Sequence, residues 1–355
     1  MRVDQLIPAF HRGDAIGDTA FHMRNFLRSR GFTSDIYCLN RDKGLESKSL
    51  LFADFPEPDK TDVTILHFAL ISPLSQRFMQ LRSRKALIYH NVTPPEFFEG
   101  FNEEMARITL LSREELKALA PHVELALADS EFNRLELVEA GFRNTRVFPL
   151  FIDFAKYDRS HSRFLYDLFN DGRTNILFIG RIVPNKKIED LIRVVFFFKK
   201  YISPLVRLIV VGKTSSLPVY YRSLIQMADE FYLKPEEICF TGHISDEEMY
   251  ALYKVSDVFL SLSEHEGFGL PFIESLVFDL PIIAYDCTAV PFTLGGGGVR
   301  IKHKSVAYVA ELVHRLSTDS RLKEAVLEGQ RNRLREYKNG NLEKELLESL
   351  ESIIR

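Results

Sequence analysis

The sequence predicts an α/β protein of two doubly wound domains facing across a cleft, and three observations carry that expectation. Short β-branched runs alternate with amphipathic helical patterns along most of the chain, which is the rhythm of parallel sheets covered by helices. The rhythm breaks in a polar and aromatic stretch, residues 151–173, and then restarts. At 355 residues the chain is long enough for two domains of ordinary size, each with its own core.

In the first half, strands are expected near residues 3–7, 35–39, 63–68, 86–90, 123–128 and 145–148. The clearest helix runs from about 16 to 30, with Ile16, Ala20, Met23 and Leu27 on one stripe and Gly31 as its stop. Another starts at the N-cap Ser130 and ends at Gly141. After the linker, strands are expected near 175–179, 206–211, 238–241, 258–262 and 282–284, with helices between. Domain limits follow at 1–160 and 161–340, with 341–355 a C-terminal helix positioned to dock on the first domain.

A net charge of −3 supplies no basic field for a phosphate backbone, which excludes nucleic acid as a partner. Cys38, Cys239 and Cys287 are odd in number, widely spaced and set in or beside apolar runs, as reduced core residues of a cytoplasmic protein are. Residues 1–4 carry charge where a signal peptide needs an apolar core, and no apolar run reaches about eighteen residues, so the chain is expected neither to be secreted nor to span a membrane.

The densest chemistry lies in Glu266-Gly-Phe-Gly-Leu-Pro-Phe-Ile-Glu274, where carboxylates, glycines and a proline share nine residues. Pro271 suits a first helical position, so Gly267 and Gly269 form a loop opening onto a helix N-terminus. Backbone N–H groups at such a point attract anions, phosphates above all. Glu274 in the first turn and Glu266 on the loop side are two acceptors for a ligand whose hydroxyls and negative charge are separated. A nucleotide-sugar fits that description.

A second cluster, Gly180-Arg-Ile-Val-Pro-Asn-Lys186-Lys187, follows a strand and precedes a helix. Cations oppose the dipole at a helix start, so Arg181 and one of the lysines are better explained by a bound anion, such as a departing pyrophosphate. Gly13 and Gly17 flank a turn between the first strand and the first long helix, where backbone could approach phosphate or simply reverse direction. That turn lacks the Gly-x-Gly-x-x-Gly spacing of a dinucleotide site. His90 ends an apolar strand, and Thr241-Gly242-His243 and the glycine run 295–298 follow other strands, so all point to the carboxyl edges of the sheets.

Taken together, these residues resemble the retaining glycosyltransferases of family 4, whose GT-B architecture consists of two Rossmann-like domains. The resemblance covers nearly the whole chain and is strongest from about 175 to 299. Its Glu-x7-Glu element is met by Glu266 and Glu274, and its Gly-Arg-x-x-x-x-Lys element by Gly180, Arg181 and Lys186. Lys187 stands where many relatives have glycine, which leaves open which lysine reaches the phosphate. Phe292 stands where relatives often carry glutamate, so a polar role is lost there. The Gly13 loop and the segment Tyr-His90-Asn-Val-Thr-Pro-Pro match a bacterial branch that builds surface polysaccharides.

The resemblance implies a hexose donor activated as a UDP-, GDP- or ADP-sugar and transferred with retention to a glycan or lipid-linked acceptor. Glu274 would accept ribose hydroxyls, backbone at Gly267, Phe268, Gly269 and Leu270 would hold the sugar and diphosphate, and Gly242 and His243 would lie near the base. Glu266 would stabilise the developing positive charge. Arg181 and Lys186, helped by the loop at Gly13 and Gly17, would stabilise the leaving diphosphate, and His90 would contact the sugar or its neighbour's backbone. The sequence holds no Asp-x-Asp element, so neither metal nor cofactor is expected. A lipid-linked acceptor would bring peripheral membrane contact. The competing readings are a nucleotide-sugar epimerase of the same architecture, which uses no acceptor, and a non-catalytic nucleotide-sugar binding subunit, expected to have lost Glu266, Lys186 or Arg181.

Overall fold

The computed structural model describes residues 1–11 and 13–354. The chain forms two compact units, one of Met1–Glu96, Glu104–Ile152 and Asn341–Arg355, the other of Phe97–Glu103 and Asp153–Gly340. Arg355, the last residue of the expected C-terminal helix, lies outside the described residues. Among the described residues no helix is long and apolar enough to cross a membrane.

The first unit runs β1 (Val3–Phe10), α1 (Ala15–Ser29), β2 (Ile36–Arg41), β3 (Leu50–Leu51), β4 (Val63–Phe68), α2 (Pro73–Gln80), β5 (Arg84–Tyr89), α3 (Glu103–Leu119), β6 (Leu125–Ala128), α4 (Glu131–Glu139) and β7 (Thr145–Val147). Its parallel seven-stranded sheet has the order β3-β2-β1-β4-β5-β6-β7. Every residue of β4 is buried, as expected of a central strand with both faces covered. Local chemistry sets the helix ends. Asp14 and Ser130 cap α1 and α4 with their side chains, and Gly31, at φ +86°, takes the left-handed turn that follows α1.

The second unit runs α5 (Arg163–Phe169), β8 (Thr174–Ile179), α6 (Ile188–Tyr201), β9 (Val206–Val211), α7 (Pro218–Glu230), β10 (Ile238–Gly242), α8 (Asp246–Val255), β11 (Val258–Ser261), α9 (Leu270–Val277), β12 (Ile282–Tyr285), α10 (Val290–Leu294), β13 (Val299–Ile301), α11 (Val306–Thr318) and α12 (Ser320–Asn339). Its six strands, also parallel, are ordered β10-β9-β8-β11-β12-β13. The last helix, α13 (Leu342–Ile354), belongs to the first unit, where Leu346, Leu350 and Ile353 join Val3, Met23, Ile65, Ile88 and Leu127 in one core.

Three elements depart from the sequence expectation. The stretch read as the linker, without a clean period, contains a 3-10 turn, Phe154–Asp158, and the short helix α5, whose N-cap Ser162 accepts from Leu165 N–H at 3.3 Å. The other two are β3 and β13, of two and three residues, the second directly after the glycine run. The division between units falls after Ile152 because Tyr157 packs edge-on against Tyr250 and Phe278 of the second unit. All three cysteines are free thiols, Cys38 buried and the others half-buried.

Candidate functional site

In the second sheet the first strand, β8, has β9 on one side and β11 on the other, so successive connections leave in opposite directions from this point. Such a topological switch opens a crevice beyond the carboxyl ends of the two central strands. The segment after β8 carries Gly180, Arg181 and Lys186, and the segment after β11 carries Glu264, His265 and Glu266. The edge is tightly built. A Cβ at Gly212, just past β9, would sit 1.9 Å from Gly180 O, so only glycine permits this approach.

Lys186 Nζ lies 2.6 Å from Glu266 Oε2, with the two side chains 13% and 11% exposed. Lys187 turns elsewhere, to Glu264 at 3.2 Å and Glu189 at 3.8 Å, and Lys304 reaches Glu264 at 2.7 Å. The lysine paired with Glu266 is therefore Lys186. Lys187 has φ +50°, a left-handed conformation that glycine adopts freely, which accounts for the glycine of many relatives at this point. Burial works against ionisation of Glu264, yet Lys304 and Lys187 hold its carboxyl below the usual range. Arg181 is exposed at the same strand end.

Two residues that the sequence did not single out hold the backbone around Glu266. Asn185, 1% exposed, donates its side-chain amide to His265 O at 2.9 Å and accepts Glu264 N–H on its backbone carbonyl at 2.8 Å. Thr288 Oγ1 accepts from Glu266 N–H at 2.9 Å and donates to Glu266 O at 3.0 Å. It does so at φ +42°, which is strained for a β-branched residue. Beside it, burial pushes the Cys287 thiol up to about 11, so it stays protonated while donating to Ser263 O at 3.0 Å.

Gly269 caps α9 at φ +83°, and a Cβ there would strike the Phe272 ring at 2.5 Å. Phe268 is buried, with its carbonyl accepting from Thr293 Oγ1 at 2.5 Å, and Leu270 opens the helix. Glu274 is the fifth residue of α9 and lies past its first turn, not within it as the sequence predicts, because the helix begins at Leu270. Glu274 is 5% exposed, Tyr253 donates to Oε2 at 2.8 Å and Tyr157 to Oε1 at 3.1 Å. Burial raises the Glu274 carboxyl above the usual range against the pull of these phenols. Gly242 ends β10 at φ +73° and its carbonyl accepts from Gly212 N–H at 3.1 Å, while His243 is exposed beyond it.

Gly13, Gly17 and His90 belong to the first unit. Gly13 has φ +71°. Gly17 lies inside α1 rather than in the turn, and a Cβ there would meet the Phe10 ring at 3.1 Å, so its smallness serves packing. The His90 ring is 3% exposed, with Nδ1 2.9 Å from Asp129 Oδ2 and Nε2 2.9 Å from His67 Nδ1. Among the described residues no three His, Cys, Asp or Glu side chains gather as a metal-binding group.

The backbone is similar to that of Anabaena Alr3699/HepE in complex with UDP-glucose, with a TM-score of 0.76 and 16% identity over 99% of this chain and 100% of that one. That likeness establishes the GT-B fold. In sequence, the chain is 25% identical over 169 residues to the serotype-specific mannosyltransferase WbdA of Escherichia coli, matching 47% of this chain and 20% of WbdA. It is 25% identical over 255 residues to the capsular polysaccharide biosynthesis glycosyltransferase CapM of Staphylococcus aureus, matching 69% of this chain and 63% of CapM. The chain thus spans about a fifth of WbdA and under two thirds of CapM. Residues 167–339 match the sequence model of the glycosyl transferases group 1.

Proposed function

We propose that this protein is a retaining, metal-independent glycosyltransferase that moves a hexose from a nucleoside diphosphate sugar to a hydroxyl of a glycan or lipid-linked acceptor. The observation that carries the reading is the Lys186–Glu266 pair, 2.6 Å apart at the topological switch of the second sheet. A glycosyl donor separates charge as it reacts. The anomeric carbon becomes positive while the diphosphate takes the bonding electrons, so a carboxylate and an ammonium side by side match the two ends of the breaking bond. Arg181, exposed at the same edge, adds a second cation for the phosphates. These cations supply the neutralisation that a divalent ion gives in other transferases.

In this mechanism Lys186 leaves Glu266 for the diphosphate, and Glu266 turns to the sugar. Backbone from Gly267 to Leu270 and the N-terminus of α9 hold the donor, and Gly242 and His243 border the base. Glu274 accepts ribose hydroxyls through lone pairs that Tyr253 and Tyr157 leave open. The acceptor hydroxyl attacks from the face the diphosphate leaves and gives its proton to the departing diphosphate oxygen as the bond from the anomeric carbon to that oxygen breaks and the new glycosidic bond forms. HepE is named as a UDP-glucose complex, and WbdA and CapM are named for mannosyl transfer and capsular polysaccharide, which supports a nucleotide-sugar donor and a surface-glycan acceptor.

The test is thermal stabilisation by UDP-, GDP- and ADP-hexoses with a chelator present, followed by the anomeric configuration of the product. A ligand at about a hundred times its dissociation constant adds roughly 2.7 kcal/mol. A selective shift that survives chelation, and a product keeping the donor's configuration, are the expected results. Absence of stabilisation by every nucleoside diphosphate hexose overturns the reading, and a product formed without acceptor replaces it with an epimerase.

A further inference from the structure

In the first unit a line of buried polar side chains crosses four neighbouring strands. Gln5 lies on β1, His67 on β4, His90 just after β5 and Asp129 just after β6, and these strands are adjacent in the order β1-β4-β5-β6. Gln5 is 0% exposed, His67 1% and Asp129 4%. The links are Gln5 Oε1 to His67 Nε2 at 3.0 Å, His67 Nδ1 to His90 Nε2 at 2.9 Å, and His90 Nδ1 to Asp129 Oδ2 at 2.9 Å. None of this was visible as a motif, since the four residues are scattered over more than a hundred positions.

The protons can be counted. Gln5 Nε2 donates to Ala20 O at 2.9 Å, and the flipped amide would set two carbonyl oxygens against each other, so Gln5 Oε1 is an acceptor. His67 Nε2 must then carry a proton. Each of the other two links holds one proton as well, whichever partner owns it. Two neutral imidazoles and a carboxylate supply only two protons for these three links, so the group holds one more and its net charge is zero. Burial keeps His67 well below the ordinary imidazole range, which places the extra proton between His90 and Asp129. Burial also raises the Asp129 carboxyl, and its Oδ1 is buried without a hydrogen-bond partner, so the carboxyl gains from sharing that proton.

We propose that Gln5, His67, His90 and Asp129 form a proton-sharing relay in which Asp129 is a positioning residue, holding one extra proton and fixing the orientation of the His90 ring. His90 then offers no vacant nitrogen to a ligand. The relay instead sets the backbone that follows, where Asn91 takes φ +74° before Thr93, Pro94 and Pro95. The catalytic consequence rests on the glycosyltransferase reading and on His90 or its neighbouring backbone meeting the donor sugar.

The test is nitrogen-15 and carbon-13 NMR of the intact protein labelled in histidine and aspartate. At neutral pH the two rings and Asp129 should hold three protons together, seen as three ring N–H groups beside an ionised Asp129 or two beside a protonated one. In Asp129→Asn the amide donates to His90 Nδ1, leaving one proton on Nε2 of each ring. Two ring protons beside an ionised Asp129 in the wild-type protein overturn the relay. For the positioning role, transfer rates are compared in folded variants. Asp129→Asn keeps a bond to the ring and should stay within about threefold of wild type, while Asp129→Ala frees the ring and should lose about tenfold or more. An unchanged rate in Asp129→Ala overturns the positioning role. A wild-type protein that transfers no sugar overturns the glycosyltransferase reading, whereas the proton count is decided by NMR alone.

Discussion

Thr288 is held at φ +42°, a conformation that costs on the order of 1–3 kcal/mol for a non-glycine residue, and its hydroxyl closes both backbone bonds of Glu266. Strain kept at such a place has to be offset by those bonds. Thr288→Val preserves shape but strands the Glu266 N–H and leaves the Glu266 C=O with only the Ala289 N–H at 3.3 Å, so stability should fall by about 2 kcal/mol and turnover by about tenfold or more. Thr288→Ser should retain both within about threefold, and thermal melts beside kcat measurements decide between them. Lys186→Ala should remove roughly a hundredfold or more in transfer rate, the size of one lost charge contact to a leaving group. A folded Lys186→Ala protein with near-normal kcat would refute that role. Glu266 and Lys186 were legible in the sequence because their chemistry is carried by short runs of unusual residues. Asn185 and Thr288 were not. They act through contacts to backbone eighty and twenty-two positions away, and distance along the chain conceals which loops meet.

At the scale of elements, hydrophobic period was a sound guide wherever a strand was buried on both faces. β4 and β9 have the expected bounds and are buried throughout. It failed where the element was too short to show a period. α5 has seven residues and β13 three, and neither spans two full repeats of a helix or strand pattern. The tail was legible as a helix, while its core-facing side emerges only with its neighbours. Leu346 is 0% exposed and Leu350 1%, packed into the core with Val3, Ile65 and Ile88. α13 is therefore a structural member of the first unit, and Leu346→Ala should cost about 2–5 kcal/mol by transfer and cavity terms together. Denaturant unfolding of this variant should show a first-unit transition at lower concentration, and an unchanged midpoint would show that α13 contributes nothing to that core.

Across the whole molecule, both sheets repeat one plan, with strand order 3-2-1-4 at their centres, counting strands within each unit. The alternation of strands and helices predicted parallel sheets, but strand order depends on right-handed crossovers and pairing that a single sequence does not display. At the amino edge of the first sheet this plan buries a carboxyl with an unusual setting. Asp4 on β1 accepts Asp35 N–H at 2.9 Å and lies 3.4 Å from Arg2, yet burial, with Asp35 and Asp62 nearby, pushes its carboxyl up to about 6 from 3.8. The folded protein therefore binds this proton more tightly than the unfolded chain between those two values. The Asp4 contribution is most favourable below pH 3.8 and is lost as pH rises through about 6, the reverse of carboxyls such as Asp171, which the Arg207 guanidinium holds low against the effect of burial. The shift corresponds to at most about 3 kcal/mol. Asp4→Asn removes the titration while keeping an acceptor for Asp35 N–H, so wild type minus variant isolates it from every other carboxyl. The stability of the wild type relative to Asp4→Asn should decline steadily from pH 4 to pH 6 and then level off. A difference that stays flat over that interval would mean that Asp4 remains ionised in the fold, with Arg2 outweighing burial.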